Sequence, residues 1–231
     1  MIILKNNKMA LKDYSQPSVT VDIVVFTIIN DDLKVLLIKR AVEPFKGEWA
    51  IPGGFVRMDE SLEEAAKREL QEETNVKNIY LEQLYSFGEP KRDPRGRVIT
   101  VSYMALINSN NEAIELKATT DSLKAEWYSF NNLPNLAFDH KQILSYAFKR
   151  LKWKFEYTTV AFSLLPKKFT LTQLQNIYEA VFGKSFDKRN FRKKIFTLDL
   201  LKKEDLKLDV SYRPPQLYSL KRKIGEIVEI I

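Results

Sequence analysis

The sequence contains no cysteine and a single histidine among its 231 residues. Without cysteine the chain cannot form disulfides or thiolate metal sites, and a reducing compartment suits it. No apolar run approaches the roughly 20 residues that cross a bilayer, and the apolar run of the N-terminal MIILKNNK is too short for a signal peptide. With 45% hydrophobic residues, the chain can bury one large core or two modest ones. We therefore expect a soluble, cytoplasmic protein without a membrane partner.

Positive charge is concentrated in the last third of the chain. Up to residue 156 the sequence holds 22 Lys and Arg against 22 Asp and Glu. Residues 157–231 hold 15 against 8, so this segment carries the whole excess of +7. The asymmetry predicts a separate C-terminal module with an anionic partner.

A glycine turn followed by a helix is predicted in the segment GFVRMDESLEEAAKRELQEETNV, which begins at Gly54. Ser61 and Glu64 have the spacing of a capping box, so a helix begins just after Ser61. Gly53 and Gly54 supply a bare backbone ahead of the helix, where a phosphate can come close. Asn75 follows the helix at a position that favours a left-handed backbone, which Asn tolerates.

Three glutamates of this helix form a candidate metal site. Glu69, Glu72 and Glu73 gather along one edge, because residues three and four apart are neighbours on a helix. Their repulsion and their oxygen ligands favour Mg²⁺ or Mn²⁺ between them. Arg68, four residues before Glu72, is placed to orient it. A solvated acidic helix face is the alternative interpretation.

This segment closely resembles a Nudix box. It has the spacing of that motif, with a glycine, then Glu60, then an Arg-Glu pair and a Glu-Glu pair. Asn75 stands where the box has its second glycine. The resemblance implies that Glu69, Glu72 and Glu73 bind Mg²⁺ or Mn²⁺ and that Glu72 and Arg68 serve in catalysis. It also implies a Nudix α/β/α sandwich with a mixed sheet.

Alternating or β-branched segments predict the strands of the first domain. They are Val19–Asn30, Leu33–Arg40, Ile79–Phe87, Val98–Ile107 and Leu123–Phe130, with a turn at Asp31 and Asp32 between the first two. The predicted acidic helix lies between the first two strands and the last three. Strands interspersed with a helix in this order are typical of an α/β domain. From Asp139, a natural N-cap, apolar spacing predicts a helix to Phe155 that leads to the second domain.

The C-terminal third has the pattern of a helix-turn-helix. A short strand over Thr158–Leu165 precedes it. Thr170 opens a second capping box, and Gly183 ends the helix that follows. Asp187 caps another helix, Lys188–Thr197, and the two short helices with a tight turn between them predict the motif.

The second of these helices reads KRNFRKKIFT, with basic residues on one side and apolar residues on the other. Two short strands predicted within residues 202–220 would form a wing. These features favour DNA binding, with phosphate contacts from lysines and base contacts from Asn190 or Arg192. The predicted DNA-binding residues are Lys188, Arg189, Asn190, Arg192 and Lys193. An ordinary solvated basic face is the alternative.

Residues 92–97, RDPRGR, place three arginines around a turn, and arginine forks suit the phosphates of a nucleoside diphosphate sugar. A solvated hairpin tip is the alternative. His140 either contacts a ligand or packs at the start of its helix. Trp49 either stacks on an adenine or fills the core. The predicted ligand-binding residues are Arg40, Gly53, Arg95, Arg97 and His140.

Several segments resemble, over nearly the whole chain, the Nudix-related transcriptional regulators of bacteria. They are the Nudix box, FGEPKRDPRGRVITVSY, AFDHKQIL, the two-helix region and RPPQLYSL. The resemblance implies a Nudix domain over residues 1–156 and an α+β winged helix-turn-helix domain over residues 157–231. It implies a homodimer that binds operator DNA and responds to a small-molecule effector, ADP-ribose in some members and a pentose in others. A Mg²⁺-dependent hydrolase of diphosphates such as ADP-ribose is the alternative function, since the glutamates are intact.

Overall fold

The computed structural model describes residues 14–74, 79–108, 116, 122–204 and 215–230, without the side chains of residues 73 and 74. Its first part contains one seven-stranded sheet. The strands are β1 (Ser18–Ile29), β2 (Asp32–Arg40), β3 (Trp49–Ala50), β4 (Gly53–Phe55), β5 (Tyr80–Phe87), β6 (Val98–Leu106) and β7 (Ser122–Ser129). The order is β3-β2-β1-β6-β5, with β4 beside β1 and β7 beside β2. Since β1 and β6 run parallel and the other pairs antiparallel, the predicted mixed sheet is confirmed.

Helices cover both faces of this sheet. The box helix α1 (Leu62–Thr74) packs Ala65, Ala66 and Leu70 against the β1 face that carries Val21, Ile23 and Val25. The opposite face, with Val24 and Phe26, packs against α2 (His140–Tyr157). The strand is buried on both sides, which explains its continuous apolar sequence. The α/β/α sandwich is therefore confirmed.

Three local features differ from the sequence expectations. The β1–β2 turn is made by Asn30 and Asp31, one residue earlier than predicted, because their positive φ angles of 54° and 57° suit Asn and Asp. Strands β3 and β4 were not predicted, since two or three residues give no periodicity. Asp139 precedes α2, but its side chain makes no capping hydrogen bond.

The last third forms the predicted winged helix-turn-helix. It contains α3 (Leu171–Phe182), α4 (Lys188–Thr197) and the hairpin of β8 (Leu201–Lys203) and β9 (Tyr218–Leu220). Both halves of the Thr170 capping box are present, Gly183 is left-handed with φ 66°, and Asp187 accepts a hydrogen bond from the Asn190 N–H. The hairpin lies where the wing was expected, and its tip, residues 205–214, is outside the described residues.

The predicted strand Thr158–Leu165 is wrong. Residues Thr159–Leu164 form a 3₁₀ helix, which begins where the Thr158 hydroxyl accepts a hydrogen bond from the Val160 N–H. Five of its six side chains are buried between the flanking helices. A short continuous apolar run does not separate a buried strand from a buried helix, and tertiary packing decided in favour of the helix.

One apolar core joins the two parts of the chain. Leu151 and Phe155 of α2 belong to the same buried cluster as Tyr178 of α3 and Phe191 of α4. The Tyr178 ring lies 5.2 Å from Phe155 and 5.4 Å from Phe191, and its hydroxyl donates to the Phe155 carbonyl. A polar contact adds to this junction, since Asn176 Nδ2 of α3 donates to Asp31 Oδ1 at 2.9 Å. Within the first part, Lys154 of α2 pairs with Glu82 of β5. Within the described residues, no helix has the length and apolar character of a membrane span.

Replacement of Phe155 by Ala should lower the free energy of unfolding by about 3–5 kcal/mol, the usual loss for a buried Phe. Trp153→Ala is the matched control, because Trp153 lies on the same helix but is 43% exposed, whereas Phe155 is fully buried. Urea denaturation followed by circular dichroism measures both. If Trp153→Ala destabilised as much as Phe155→Ala, the shared core would not hold the junction together.

Candidate effector cavity and DNA-binding helix

A cavity of about 450 Å³ lies between the β4 turn, α1 and the start of α2. This volume is within the range of small-molecule sites. Charged and aromatic side chains dominate its lining. They include Asp22, Arg40, Phe55, Arg57, Arg68, Glu69, Glu72, Arg92, Asp93, Arg95, Phe138 and His140.

Two glycines bring the β4 backbone against the box helix and β1. A Cβ atom on Gly54 would lie 2.0 Å from Glu69 Oε1, and one on Gly53 would lie 2.3 Å from the Val21 carbonyl oxygen. Neither distance is possible for a real side chain. The glycines that the sequence placed ahead of the helix therefore allow the close contact between β4 and Glu69.

Arg68 binds two glutamates of the box. Its Nη2 lies 2.7 Å from Glu60 Oε1 and its Nη1 lies 2.6 Å from Glu69 Oε1. The distance from Nη1 to Glu72 Oε1 is longer, at 3.7 Å. Arg68 was predicted to orient Glu72, but in this structure its hydrogen bonds go to Glu60, Glu69 and the Phe55 carbonyl.

The two glutamates bound by Arg68 differ in electrostatic environment. Hydrogen bonds from Arg68 and from the Arg57 N–H lower the pKa of Glu60 to about 2. Burial raises the pKa of Glu69 above its ordinary value, although Arg68 opposes this shift. A buried carboxylate with a raised pKa is one that a bound cation would stabilise in its ionised form.

The donor set fits Mg²⁺ or Mn²⁺ in part. Glu69 and Glu72 both line the cavity and supply the carboxylate oxygens that these cations prefer. Among the residues whose side chains are described, no group of three acidic, His or Cys residues is arranged to hold a metal. The side chain of Glu73, the third predicted ligand, lies outside the described residues, as does Asn75.

A buried charge cluster forms the floor of the cavity. Arg92 makes a two-pronged contact with Asp139, through Nε at 2.8 Å and Nη2 at 2.7 Å, and Nη2 also donates to Asp22 at 3.2 Å. His140 accepts a hydrogen bond from the Ile51 N–H at Nδ1, and its Nε2 lies 3.8 Å from Asp22. Burial lowers the pKa of His140, so the ring is neutral and carries its proton on Nε2.

Arginines and aromatic rings form the walls. The Arg40 guanidinium lies 4.9 Å from the centre of the Phe138 ring, and Arg95 lies 5.1 Å from that of Phe55. Arg95 is also held by Asp93 at 2.7 Å. These are the groups that bind phosphates and flat rings.

The structure brings four of the five predicted ligand-binding residues into the cavity lining: Arg40, Gly53, Arg95 and His140. Arg97 is not part of this lining, and its Nη1 donates to the Gly88 carbonyl. Trp49 packs edge-on against Tyr128 at 4.8 Å beside the main core.

Sequence reasoning missed Asp22, Arg92 and Phe138 as individual cavity residues. A charge within the apolar run VTVDIVV was a usable signal for Asp22, because a charge in a buried strand needs a partner. Arg92 was noticed only as one of three arginines in a turn. Its buried partners are 47 and 70 residues away in sequence, which no local pattern reveals.

The basic helix α4 exposes four of the five predicted DNA-binding residues: Lys188, Arg189, Asn190 and Lys193. Phe191 and Ile195 are buried and hold the helix against the core. Arg192 is half-buried, and its Nε has no hydrogen-bond partner among the residues that the structure describes. Its guanidinium is therefore less open to solvent than those of the neighbouring cations.

Comparison with known proteins matches each part of the chain to a known family. The NUDIX domain family matches residues 19–147, and the NrtR DNA-binding winged helix domain matches residues 161–220. The ADPR responsive transcriptional repressor NtrR of Acinetobacter baylyi is 41% identical over 210 residues, which cover 89% of this chain and 83% of that protein. An ADP-ribose pyrophosphatase of Methanocaldococcus jannaschii is 42% identical over 153 residues, covering 66% of this chain and 84% of that protein.

A solved structure of similar architecture is that of Shewanella oneidensis NrtR complexed with a 27mer DNA. It has a TM-score of 0.76 and 39% identity, and the match covers 88% of this chain and 93% of that chain. The fold and the cavity define a Nudix protein with a fused winged helix. The chain belongs to the Nudix-related transcriptional regulators.

Replacement of Gly53 by Ala should lower the free energy of unfolding by about 1–3 kcal/mol, the usual cost of overpacking, because the new Cβ meets the backbone carbonyl oxygen of Val21. Gly88→Ala is the control, since its Cβ would have no neighbour closer than 3.7 Å. Urea denaturation compares the two variants. Equal stability of both would contradict the close contact between β4 and β1.

Proposed function

We propose that this protein is a DNA-binding transcriptional regulator that senses ADP-ribose in the cavity of its Nudix domain. The observation that carries the proposal is the position of α2. His140 at its start lies in the cavity floor, and Phe155 near its end packs against Tyr178 of the winged helix. An 18-residue helix spans about 27 Å, so one rigid element connects the two sites.

The lining favours a nucleoside diphosphate sugar over a free pentose. Arg40 and Arg95 supply guanidinium groups for a diphosphate, and Phe55 and Phe138 supply ring faces for a base. A free pentose carries no charged group and would leave these arginines without an anionic partner in the ligand. The names of the A. baylyi and M. jannaschii relatives both refer to ADP-ribose, which supports the same choice.

The DNA-binding part is residues 157–231, and the effector-binding part is residues 1–156. We propose that Lys188, Arg189, Asn190 and Lys193 of α4 face the major groove, with Asn190 at a base edge and the cations on phosphates. Arg192 would join them after moving out of its half-buried position. The DNA complex of S. oneidensis NrtR supports a duplex as the partner. Two protomers would place two α4 helices on a palindromic operator in the cytoplasm.

Replacement of Arg95 by Gln should weaken ADP-ribose binding about tenfold, the loss of one charge-assisted contact at a partly exposed site. Arg97→Gln is the matched control, because Arg97 belongs to the same turn but lies outside the cavity lining. Calorimetric titration with ADP-ribose measures both affinities. An equal loss of ADP-ribose affinity in both variants would show that Arg97 also binds the ligand. Unchanged affinity in both would show that this turn does not contact the ligand.

Replacement of Arg189 and Lys193 by Glu should weaken operator binding at least about 100-fold at moderate salt. The loss of two phosphate contacts should also make the salt dependence shallower by about two in the slope of log K against log salt. The double variant Lys46→Glu, Lys67→Glu is the matched control, because it makes the same change in charge at exposed residues of the first domain. It should leave operator affinity nearly unchanged. Fluorescence anisotropy on labelled DNA from upstream of the chain's own gene is the measurement. Unchanged affinity of the α4 variant would exclude α4 as the DNA-contacting helix.

Hydrolysis of ADP-ribose is a second candidate function, supported by the 42% identity to the M. jannaschii pyrophosphatase. Bound Mg²⁺ or Mn²⁺ would supply charge stabilisation on the diphosphate, while Glu69 and Glu72 would hold the ion and Arg68 would fix Glu69. We expect slow or absent turnover, because rapid hydrolysis would destroy the signal. Release of AMP with Mg²⁺ present tests this. Fast release that Glu72→Gln abolishes would favour the enzyme.

A further inference from the structure

Asp139 is placed to cap α2 but does not. The residue immediately precedes the helix, where an Asp side chain usually accepts a hydrogen bond from a backbone N–H of the first turn. Its φ and ψ of −94° and 17° differ from the extended geometry of a capping residue, and its carboxylate binds Arg92 instead. Asp139 therefore has two alternative partners: the Arg92 guanidinium and the backbone N–H groups of the first turn of α2. Of these, the Gln142 and Ile143 N–H groups now donate to the Asp139 carbonyl, so capping by the side chain would replace a bond to the main chain.

The contact with Arg92 is made at the cavity floor. The Arg92 side chain is 4% exposed, yet it belongs to the cavity lining, together with Asp22. Two carboxylates share one guanidinium there, and the adjacent His140 is neutral. Within this cluster two carboxylates face a single guanidinium, while Arg40 and Arg95 line the rest of the cavity. An anion that reaches Arg92 would meet repulsion from both carboxylates unless one of them leaves.

Asp139 is the carboxylate that can leave. Asp22 lies within β1, whose backbone is held on both sides by β4 and β6. Asp139 instead sits at a helix end, where a capping position offers its carboxylate new hydrogen bonds and the favourable end of the helix dipole.

Resting on the proposed function, we propose that an anionic group of the effector, its diphosphate, displaces Asp139 from Arg92 and that Asp139 then caps α2. This exchange rewinds the start of the helix and is the step that converts effector binding into a change at the DNA-binding domain. Arg92 and Asp139 are positioning residues in this step. A neutral sugar does not drive it, because it does not compete for the guanidinium.

The change at the start of α2 has a direct route to α4. The far half of α2 packs Leu151 and Phe155 into the shared core, Phe155 contacts Tyr178, and Tyr178 contacts Phe191 of α4. A densely packed interface switches between discrete arrangements rather than deforming gradually. A shift of α2 along or around its axis therefore changes the position of α4 relative to the Nudix domain.

The test uses the full chain with Asp139→Asn. Asn caps a helix as well as Asp but lacks the charge that binds Arg92, so the variant should adopt the effector-bound arrangement without effector. Asp32→Asn is the matched control, because Asp32 forms a salt bridge with Lys34 and is not part of the cavity lining. The measured quantity is the ratio of ADP-ribose dissociation constants with and without operator DNA, which equals the effect of ADP-ribose on DNA affinity.

Wild type and Asp32→Asn should show a ratio of at least about fivefold. Asp139→Asn should have a ratio within about twofold of unity, together with the DNA affinity of effector-saturated wild type. Hydrogen exchange at residues 140–145 should change with ADP-ribose in the wild type and not in Asp139→Asn. Inorganic pyrophosphate should produce part of the wild-type exchange change, and ribose none.

A ratio in Asp139→Asn equal to that of the wild type would overturn the inference and leave the proposed function intact. A ratio of unity in the wild type would instead overturn the proposed function and the inference with it. If Asp139→Asn is too unstable to assay, Arg92→Lys serves as the second variant. A lysine keeps the charge but not the two-pronged contact. Its ratio should fall at least about threefold, and an unchanged ratio would again overturn the inference.

Discussion

The burial of α2 against two partners at once is the constraint on which the arrangement of this protein depends. One stretch of the helix packs on the sheet through Ile143, Leu144 and Ala147, and the other packs on the winged helix through Leu151 and Phe155. Burial of apolar surface is the main stabilising term in such a core. The two functional parts therefore cannot separate without exposing this surface. Their relative position can change only if α2 changes its packing.

The electrostatics of the cavity complement this mechanical link. At one end Arg68 compensates the glutamates that the box brings together, and at the other Arg92 compensates Asp22 and Asp139. Such ion pairs, which are wholly or partly buried, contribute little net stability, because desolvation offsets much of their attraction. They are therefore suited to exchange with the charged groups of a ligand.

The sequence predicted the fold where the signal was local. The five longer strands of the sheet, the capping box of Thr170 and the left-handed Gly183 follow from neighbouring residues, and the structure confirms them. The strand expected at Thr158–Leu165 was wrong, because burial on all sides removes the periodicity on which such predictions rest.

The site was less predictable than the fold. The box placed Glu69 and Arg68 at the cavity through local spacing alone. In the cavity floor, Arg92 contacts Asp139 and Asp22, which lie 47 and 70 positions away from it in sequence. Only the folded topology reveals these contacts. Asp139 illustrates the difference: its position before a helix predicts a cap, and its actual partner is a distant arginine.

When the cavity is filled, α2 should change the position of the winged helix relative to the Nudix domain. The absence of native cysteine allows a clean distance measurement between spin labels at Lys67→Cys on α1 and Lys184→Cys after α3. Labelled chains diluted with unlabelled protein report the distance within one protomer. Saturating ADP-ribose should shift this distance distribution in the chain that carries only the two labelled cysteines. An unchanged distribution at saturation would contradict this expectation.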